Sequence, residues 1–160
     1  ILFLTPLNAF AGCDDPIGDS VDYTNCRFSD GQDLSGSYLP NANLSFSSFI
    51  QVNLDKSIMM NSILAYGTFS ESSFVRTNLY ESNLQGANFE QSNFTSANLT
   101  RVNFKGSTLI GVNFENSNLM EADFTSANIT GANFEGANLN NSIWTDGMTC
   151  ALESIGKCNK

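Results

Sequence analysis

The sequence predicts an all-β solenoid, a rod whose backbone turns a corner once every five residues. Three observations predict it. From Leu34 onward every fifth residue is large and apolar: Leu34, Leu39, Leu44, Phe49, Leu54, Met59, Leu64, Phe69, Phe74, Leu79, Leu84, Phe89, Phe94, Leu99, Phe104, Leu109, Phe114, Leu119, Phe124, Ile129, Phe134, Leu139 and Trp144, 23 pentads without a gap. Two residues before each stands a small side chain, from Ser37, Ala42, Ser47 and Val52 to Ala137 and Ser142, with Gln32 the one departure. Neither class contains a charged residue, whereas charges are scattered over the other three positions.

A period of five fits neither the 3.6 of an α-helix nor the 2 of an alternating strand, so two positions per pentad point inward and three face water. If four corners close one square coil of twenty residues, each side buries one large and one small residue. Successive coils then stack through backbone hydrogen bonds at the ~4.8 Å strand spacing. The pentads make just under six such coils, a rod of roughly 27 Å. Side chains twenty apart lie on one another, which places Leu34, Leu54, Phe74, Phe94, Phe114 and Phe134 in one interior column and Leu44, Leu64, Leu84, Phe104, Phe124 and Trp144 in another. Such columns supply burial that no single pentad provides alone.

The repeats Ala-Asn-Leu-Thr at 97–100, Ala-Asp-Phe-Thr at 122–125 and Ala-Asn-Phe-Glu at 132–135 fit the pattern A-[DN]-[LF]-x-x. On these residues the chain resembles the pentapeptide-repeat family over about residues 23–144. The resemblance implies a right-handed quadrilateral β-helix. It also implies, for some members, mimicry of DNA and inhibition or protection of type II topoisomerases such as gyrase.

The ends of a stacked rod must be capped, or they recruit other chains. Residues 12–28 are read as an N-terminal cap and first irregular coil, 29–144 as the β-helix and 145–160 as a C-terminal cap. The four cysteines fall in the caps: Cys13 and Cys26 around an acidic segment with Asp14, Asp15, Asp19 and Asp22, and Cys150 and Cys158 in the tail. Bridged Cα atoms lie within ~7 Å, so a rod of this length favours Cys13–Cys26 and Cys150–Cys158, unless the N-terminal segment folds along the rod. Free buried thiols are the other reading, since Cys26 occupies a small inward position two before Phe28, one residue out of register with the main run. Zinc is disfavoured by the 13- and 8-residue separations. The tail resembles a terminal segment of exported bacterial members. Cys150–Ser154 is expected as a turn or two of helix laid across the open coil, with Leu152 and Ile155 over Trp144 and Gly156 as its stop.

Residues 1–11 are mostly apolar and end Ala9-Phe10-Ala11, which reads as the tail of a secretory signal cleaved before Gly12. The expected location is therefore periplasmic or secreted, with the thylakoid lumen as an alternative. Lipidation at Cys13 is the minor alternative, because Phe10 stands where the lipidation motif prefers Leu.

Composition narrows function. A net charge of −9, pI near 4.1 and 14% charged residues argue against a grip on nucleic-acid phosphates or anionic membranes. There is no histidine, hence neither the commonest general base nor the commonest zinc ligand. No nucleophile elbow, phosphate loop or metalloprotease motif occurs, and Asp55, Glu115 and Glu135 share one column interrupted by Val75 and Thr95. The expectation is a non-catalytic scaffold or protein-binding module, without cofactor or metal, monomeric or weakly dimeric, with an unidentified protein partner. Tyr38, Pro40, Ile58, Met60, Tyr80 and Met120 flank the Leu39 column on one side of the rod and form a candidate contact surface, contacts to the N-terminal cap being the alternative. Phe46 and Tyr66 stack at another corner.

Overall fold

The computed structural model describes residues 13–160. The signal-tail reading of residues 1–11 lies outside them. From Asp33 to Ile143 the backbone pairs with itself in parallel at an offset of twenty residues, one bridge per side of the coil, as in Asn43↔Ile63, Asn78↔Asn98 and Asp123↔Ile143. Four faces result, named here by the first large residue inside each: the Leu34, Leu39, Leu44 and Phe49 faces.

One pentad shows why the coil closes. In residues 97–101 every backbone N–H finds an acceptor. Ala97 N–H donates to Phe94 O across the corner, Asn98 N–H to Thr77 O in the preceding coil, and Leu99 and Arg101 N–H to Asn118 O and Met120 O in the next, at 2.8–3.0 Å. The fifth, Thr100 N–H, has no backbone partner and donates to Asn98 Oδ1 at 3.3 Å. The Asn or Asp that precedes the large residue is thus the acceptor that completes the pentad. The same bond recurs at Asn83, Asn88, Asn93, Asn103 and Asn113. Asp22, Asp33 and Asp123 supply it as carboxylates.

The corners are uniform. Every residue two after a large one, from Gly36 to Asn141, has positive φ, between 56° and 70°. With the bond that closes the turn, as from Ser47 N–H to Leu44 O at 3.2 Å, each corner is a type II turn. Six of the 22 are glycine and four asparagine; the others include Phe46, Lys56, Tyr66, Arg76 and Glu121. Each non-glycine corner holds a conformation disfavoured for L-residues by about 1–2 kcal/mol, and stacking sustains it.

The columns form inside. Phe74, Phe94, Phe114 and Phe134 stack with centroids 4.6, 5.5 and 5.1 Å apart; Phe104, Phe124 and Trp144 continue another at 5.2 and 5.6 Å. Phe74, Phe94 and Phe114 are fully buried, and Phe134 and Trp144 become partly accessible toward the C-terminal end. The position two before must be small because the ring occupies the space: a Cβ on Gly67 would lie 2.6 Å from the ring of Phe69. Where it is serine, the hydroxyl donates to a corner carbonyl, Ser82 to Met59 O at 2.7 Å and Ser57 to Leu54 O at 2.7 Å, so no buried side-chain polar atom among the described residues lacks a partner.

At the N-terminal end the offset is 21, in Asp22↔Asn43 and Arg27↔Ser48. The extra residue sits between Phe28 and Leu34, where the corner closed by Gln32 N–H to Ser29 O starts one residue late. Phe28 nevertheless stacks on Phe49 at 4.0 Å.

The C-terminal cap corrects the expectation of a helix. The described residues contain none. After Trp144 the chain reverses and pairs antiparallel with the last coil, in Ile143↔Thr149 and Asn138↔Ile155. Ser154 O and Cys150 O accept from Leu139 and Asn141 N–H, the groups a further coil would otherwise satisfy, and Gly156 N–H donates to Ala137 O. An open edge of unpaired backbone groups is answered by a strand-like return rather than a helix, whose backbone bonds would all be internal. Leu152 and Ile155, expected over Trp144, are 69% and 53% exposed; Cys150 and Ser154 are the residues the cap buries.

Candidate interaction face

The cysteines pair as Cys13–Cys26 and Cys150–Cys158, with Cα atoms 5.4 and 5.0 Å apart. Each bridge fastens one end. Cys26 is also fully buried and packs in the core as its inward position requires. At the same end the buried Tyr23 donates to Asp15 O at 2.7 Å, and desolvation, with Asp15 nearby, pushes its hydroxyl pKa up.

Between the caps, Ser48, Thr68, Ser73 and Thr108 also stand where the completing Asn or Asp is expected, and Ile143 does so half-buried beside the C-terminal cap, but the exposed large apolar replacements fall in one region. At Tyr38, Ile58 and Ile63 the completing Asn is replaced by a large apolar residue, exposed by 55%, 38% and 40%. Tyr38 is followed two residues later by Pro40, which has no N–H to satisfy. Ile58 and Ile63 provide no acceptor, and the N–H groups of Met60 and Ala65 have none among the described residues. The coil does not require these apolar side chains.

The bounds of the region are defined. Tyr38 pairs with Ile58 and Ile58 with Asn78, so the first two are stacked neighbours on the Leu39 face; Ile63 lies one corner further on, on the Leu44 face. Toward the N-terminus, Pro40 is buried and its carbonyl accepts from Ser20 N–H, so Pro40 belongs to the cap contact. Met60 and Tyr80 are half-buried. Tyr80 is fixed by donating to Glu81 Oε1 at 2.8 Å and accepting from Arg101 Nη1 at 3.2 Å. Arg101 also bridges Glu81 and Glu121, at 3.0 and 2.7 Å, and this exposed ladder closes the region at its far end. Hydrogen bonds from Tyr80 and Arg101 lower the Glu81 pKa, while those to Glu121 and Glu81 raise that of Arg101. Met120 lies beyond the ladder, separated from Tyr80 by the buried Thr100. The structure therefore gathers Tyr38, Ile58, Met60 and Tyr80 and sets Pro40 and Met120 apart.

Two features were missed from sequence, Ile63 and the pair Lys56 and Arg76. Ile63 adds to the apolar area, and its signal was the absent Asn in its pentad. Phe46 and Tyr66 stack at 5.4 Å at the corner that follows the Leu44 face, as expected, and the Tyr66 ring rests on Gly86, whose absent Cβ would lie 2.6 Å from it. Both side chains remain more than half exposed. Lys56 and Arg76 stand on the corner beside the Leu39 face, both exposed.

Elsewhere the carboxylates serve the coil. Asp55 Oδ1 accepts from Ser73 Oγ and from Val75 N–H, replacing the acceptor that Ser73 is too short to provide. Burial raises the Asp123 pKa, but hydrogen bonds from Thr125 and Lys105 outweigh it and leave the carboxyl below its usual range. Among the described residues there is no pocket, no cluster with metal-ligand spacing and no helix long and apolar enough to cross a membrane.

A family model described as pentapeptide repeats matches in eight copies over residues 33–64, 72–109 and 103–141. Among solved structures, HetL, a pentapeptide repeat protein involved in heterocyst differentiation regulation from the cyanobacterium Nostoc sp. strain PCC 7120, superposes with a TM-score of 0.70 at 21% identity, covering 82% of this chain and 70% of its own. A trypsin-treated form of QnrB1, a plasmid-mediated fluoroquinolone resistance protein, gives 0.69 at 27% identity over 74% of this chain, which spans 60% of that protein. No curated protein matches.

Proposed function

Because this chain belongs to the pentapeptide-repeat family of right-handed β-helices, whose members are generally structural or binding modules, we propose that it is a non-catalytic protein-binding rod that works in an oxidising compartment outside the cytoplasm. The observation that carries the reading is the replacement of the completing Asn by Tyr38, Ile58 and Ile63, which exposes apolar side chains that neither packing nor backbone pairing demands. A packed interior offers a ligand no cavity, so recognition falls to the surface. Export is supported by the two disulfides, since such bridges persist in oxidising compartments. The periplasm or the medium fits best, and the thylakoid lumen fits the same chemistry. The net charge of −9 speaks against a nucleic-acid partner.

A photo-crosslinking amino acid at position 38, in the protein in its native compartment, tests the reading. A discrete adduct is expected, lost on Ile58→Asn/Ile63→Asn and not formed from position 93 on the Leu34 face. Equal adducts from both positions, or none from position 38, contradict it. A second reading draws on the likeness to QnrB1: modulation of a type II topoisomerase by an acidic rod that mimics DNA. Protection or inhibition of gyrase supercoiling by the purified protein would favour it over the first.

A further inference from the structure

We infer that the apolar face beside Lys56 and Arg76 binds an extended, acidic segment of a partner protein, in which carboxylates alternate with apolar residues. The inference rests on the reading above and adds the chemistry of the partner. Its basis is charge. The chain has seven Lys and Arg residues against sixteen Asp and Glu. Arg27, Arg101, Lys105 and Lys160 are engaged with Asp30, Glu81 and Glu121, Asp123 and Asp146. Of the remaining three, Lys157 belongs to the tail, and Lys56 and Arg76 are the cations of the rod with no carboxylate in ion-pair distance among the described residues.

Their placement has a cost within the chain and a use outside it. Lys56 and Arg76 are twenty residues apart on one corner, and Lys56 N–H donates to Val75 O, so the two charged side chains leave adjacent coils one above the other. Among the columns of positive-φ corner residues theirs is the one with like charges on successive coils; at the neighbouring turn position Glu115 and Glu135 also follow one another, toward the C-terminal end. The column through Glu81, Arg101 and Glu121 alternates, and in the column through Gln51 and Glu71 an amide pairs with a carboxylate at 2.8 Å. Two adjacent cations repel one another unless an anion lies against both. Both residues are also held at φ 59°, where glycine would be unstrained, so neither charge is favoured by the turn.

Beside them, Tyr38 and Ile58 form the apolar strip, with Met60 and Ile63 further from the corner. Met60, half-buried at the edge of the strip, has a backbone N–H without an acceptor among the described residues. A strand with alternate side chains directed to the strip and to the cationic corner meets all three features, and the Glu81–Arg101–Glu121 ladder, itself neutralised in part, limits how far it extends. The face is thus a local inversion of the acidic surface, which repels acidic partners everywhere else and directs them here.

The test uses the full chain with both disulfides formed and a fluorescein-labelled peptide of about eight residues, about 26 Å extended, in which Glu alternates with Leu and Ser. Fluorescence anisotropy should show binding that weakens with added salt. Lys56→Glu/Arg76→Glu and, separately, Ile58→Asn/Ile63→Asn should each weaken it by at least about tenfold, while Lys157→Glu leaves it unchanged. The Asn variants install the residue that equivalent positions already carry, so they keep the fold, and circular dichroism verifies this for each variant. No binding of the acidic peptide, equal binding of a Lys-for-Glu peptide, or indifference to either double variant overturns the inference. So does equal binding of a DNA oligonucleotide, which would reduce the corner to unspecific anion attraction. If the position-38 adduct depends on Ile58 and Ile63 but not on Lys56 and Arg76, the face is a protein-binding site and the acidic partner is wrong.

Discussion

Asn98 carries out at one residue what the repeat needs at every pentad: it supplies the acceptor for the one N–H that stacking leaves without a partner. Asn98→Ala should cost about 1 kcal/mol, the usual net value of such a bond, whereas Ile58→Asn should leave stability unchanged or raise it, because it supplies Met60 N–H with an acceptor. Thermal melts of the two variants check this; a large loss for Ile58→Asn would mean that the apolar residue is structural. Asp123 fills the same position as a carboxylate held below its usual pKa range. A lowered folded value means that its contribution is present above the unfolded pKa of about 3.9 and is lost as pH falls through the lower folded value. Asp123→Asn, which lacks the carboxylate's pairing with Lys105, should therefore be less stable than the parent near neutrality, with the difference shrinking as pH falls below about 4. The corners give a further residue-scale prediction. Gln91 sits at φ 57°, so Gln91→Gly should be neutral or stabilising and Gln91→Val destabilising by about 1–2 kcal/mol, as denaturant midpoints will show.

For the pentad as an element, the inward residues were legible in the sequence because burial acts directly on residue type: a charge at either inward position is incompatible with the column. Phe94→Asp should unfold the rod, at a cost of about 3–5 kcal/mol for an unpaired buried charge, and Glu90→Lys should be nearly silent; equal melting temperatures would contradict the inward and outward assignment. The corner conformation was not legible. Lys56, Arg76 and Glu121 are poor indicators of positive φ, and only the stacked context imposes it. The C-terminal cap misled for a related reason. Ala151-Leu152-Glu153 before Gly156 reads locally as a short helix with a stop, but the unpaired N–H groups of Leu139 and Asn141 require acceptors that a strand-like return provides. On the surface, the sequence pointed to the Leu39 face and missed Ile63, Lys56 and Arg76. Each is ordinary in isolation, and their grouping follows only from the twenty-residue offset and the positions of the ion pairs.

Across the whole molecule, repeats contact only their neighbours, so stability is spread along the rod and each disulfide should act on its own end. Cys150–Cys158 closes a short loop, and such a bridge contributes about 2–3 kcal/mol by restricting the unfolded chain. The antiparallel pairing of the tail to the last coil does not depend on the bridge for its hydrogen bonds, so fraying on reduction should be limited to the residues beyond Leu139. Hydrogen exchange with and without reductant, comparing 144–160 with the coils around Phe94, measures both the stacked rod and its separately fastened ends. The account predicts loss of protection near the two termini, greatest in 144–160, with the amides of 89–104 still protected. Loss of protection in the middle coils together with the ends, or native protein with all four thiols free under oxidising conditions, would contradict it.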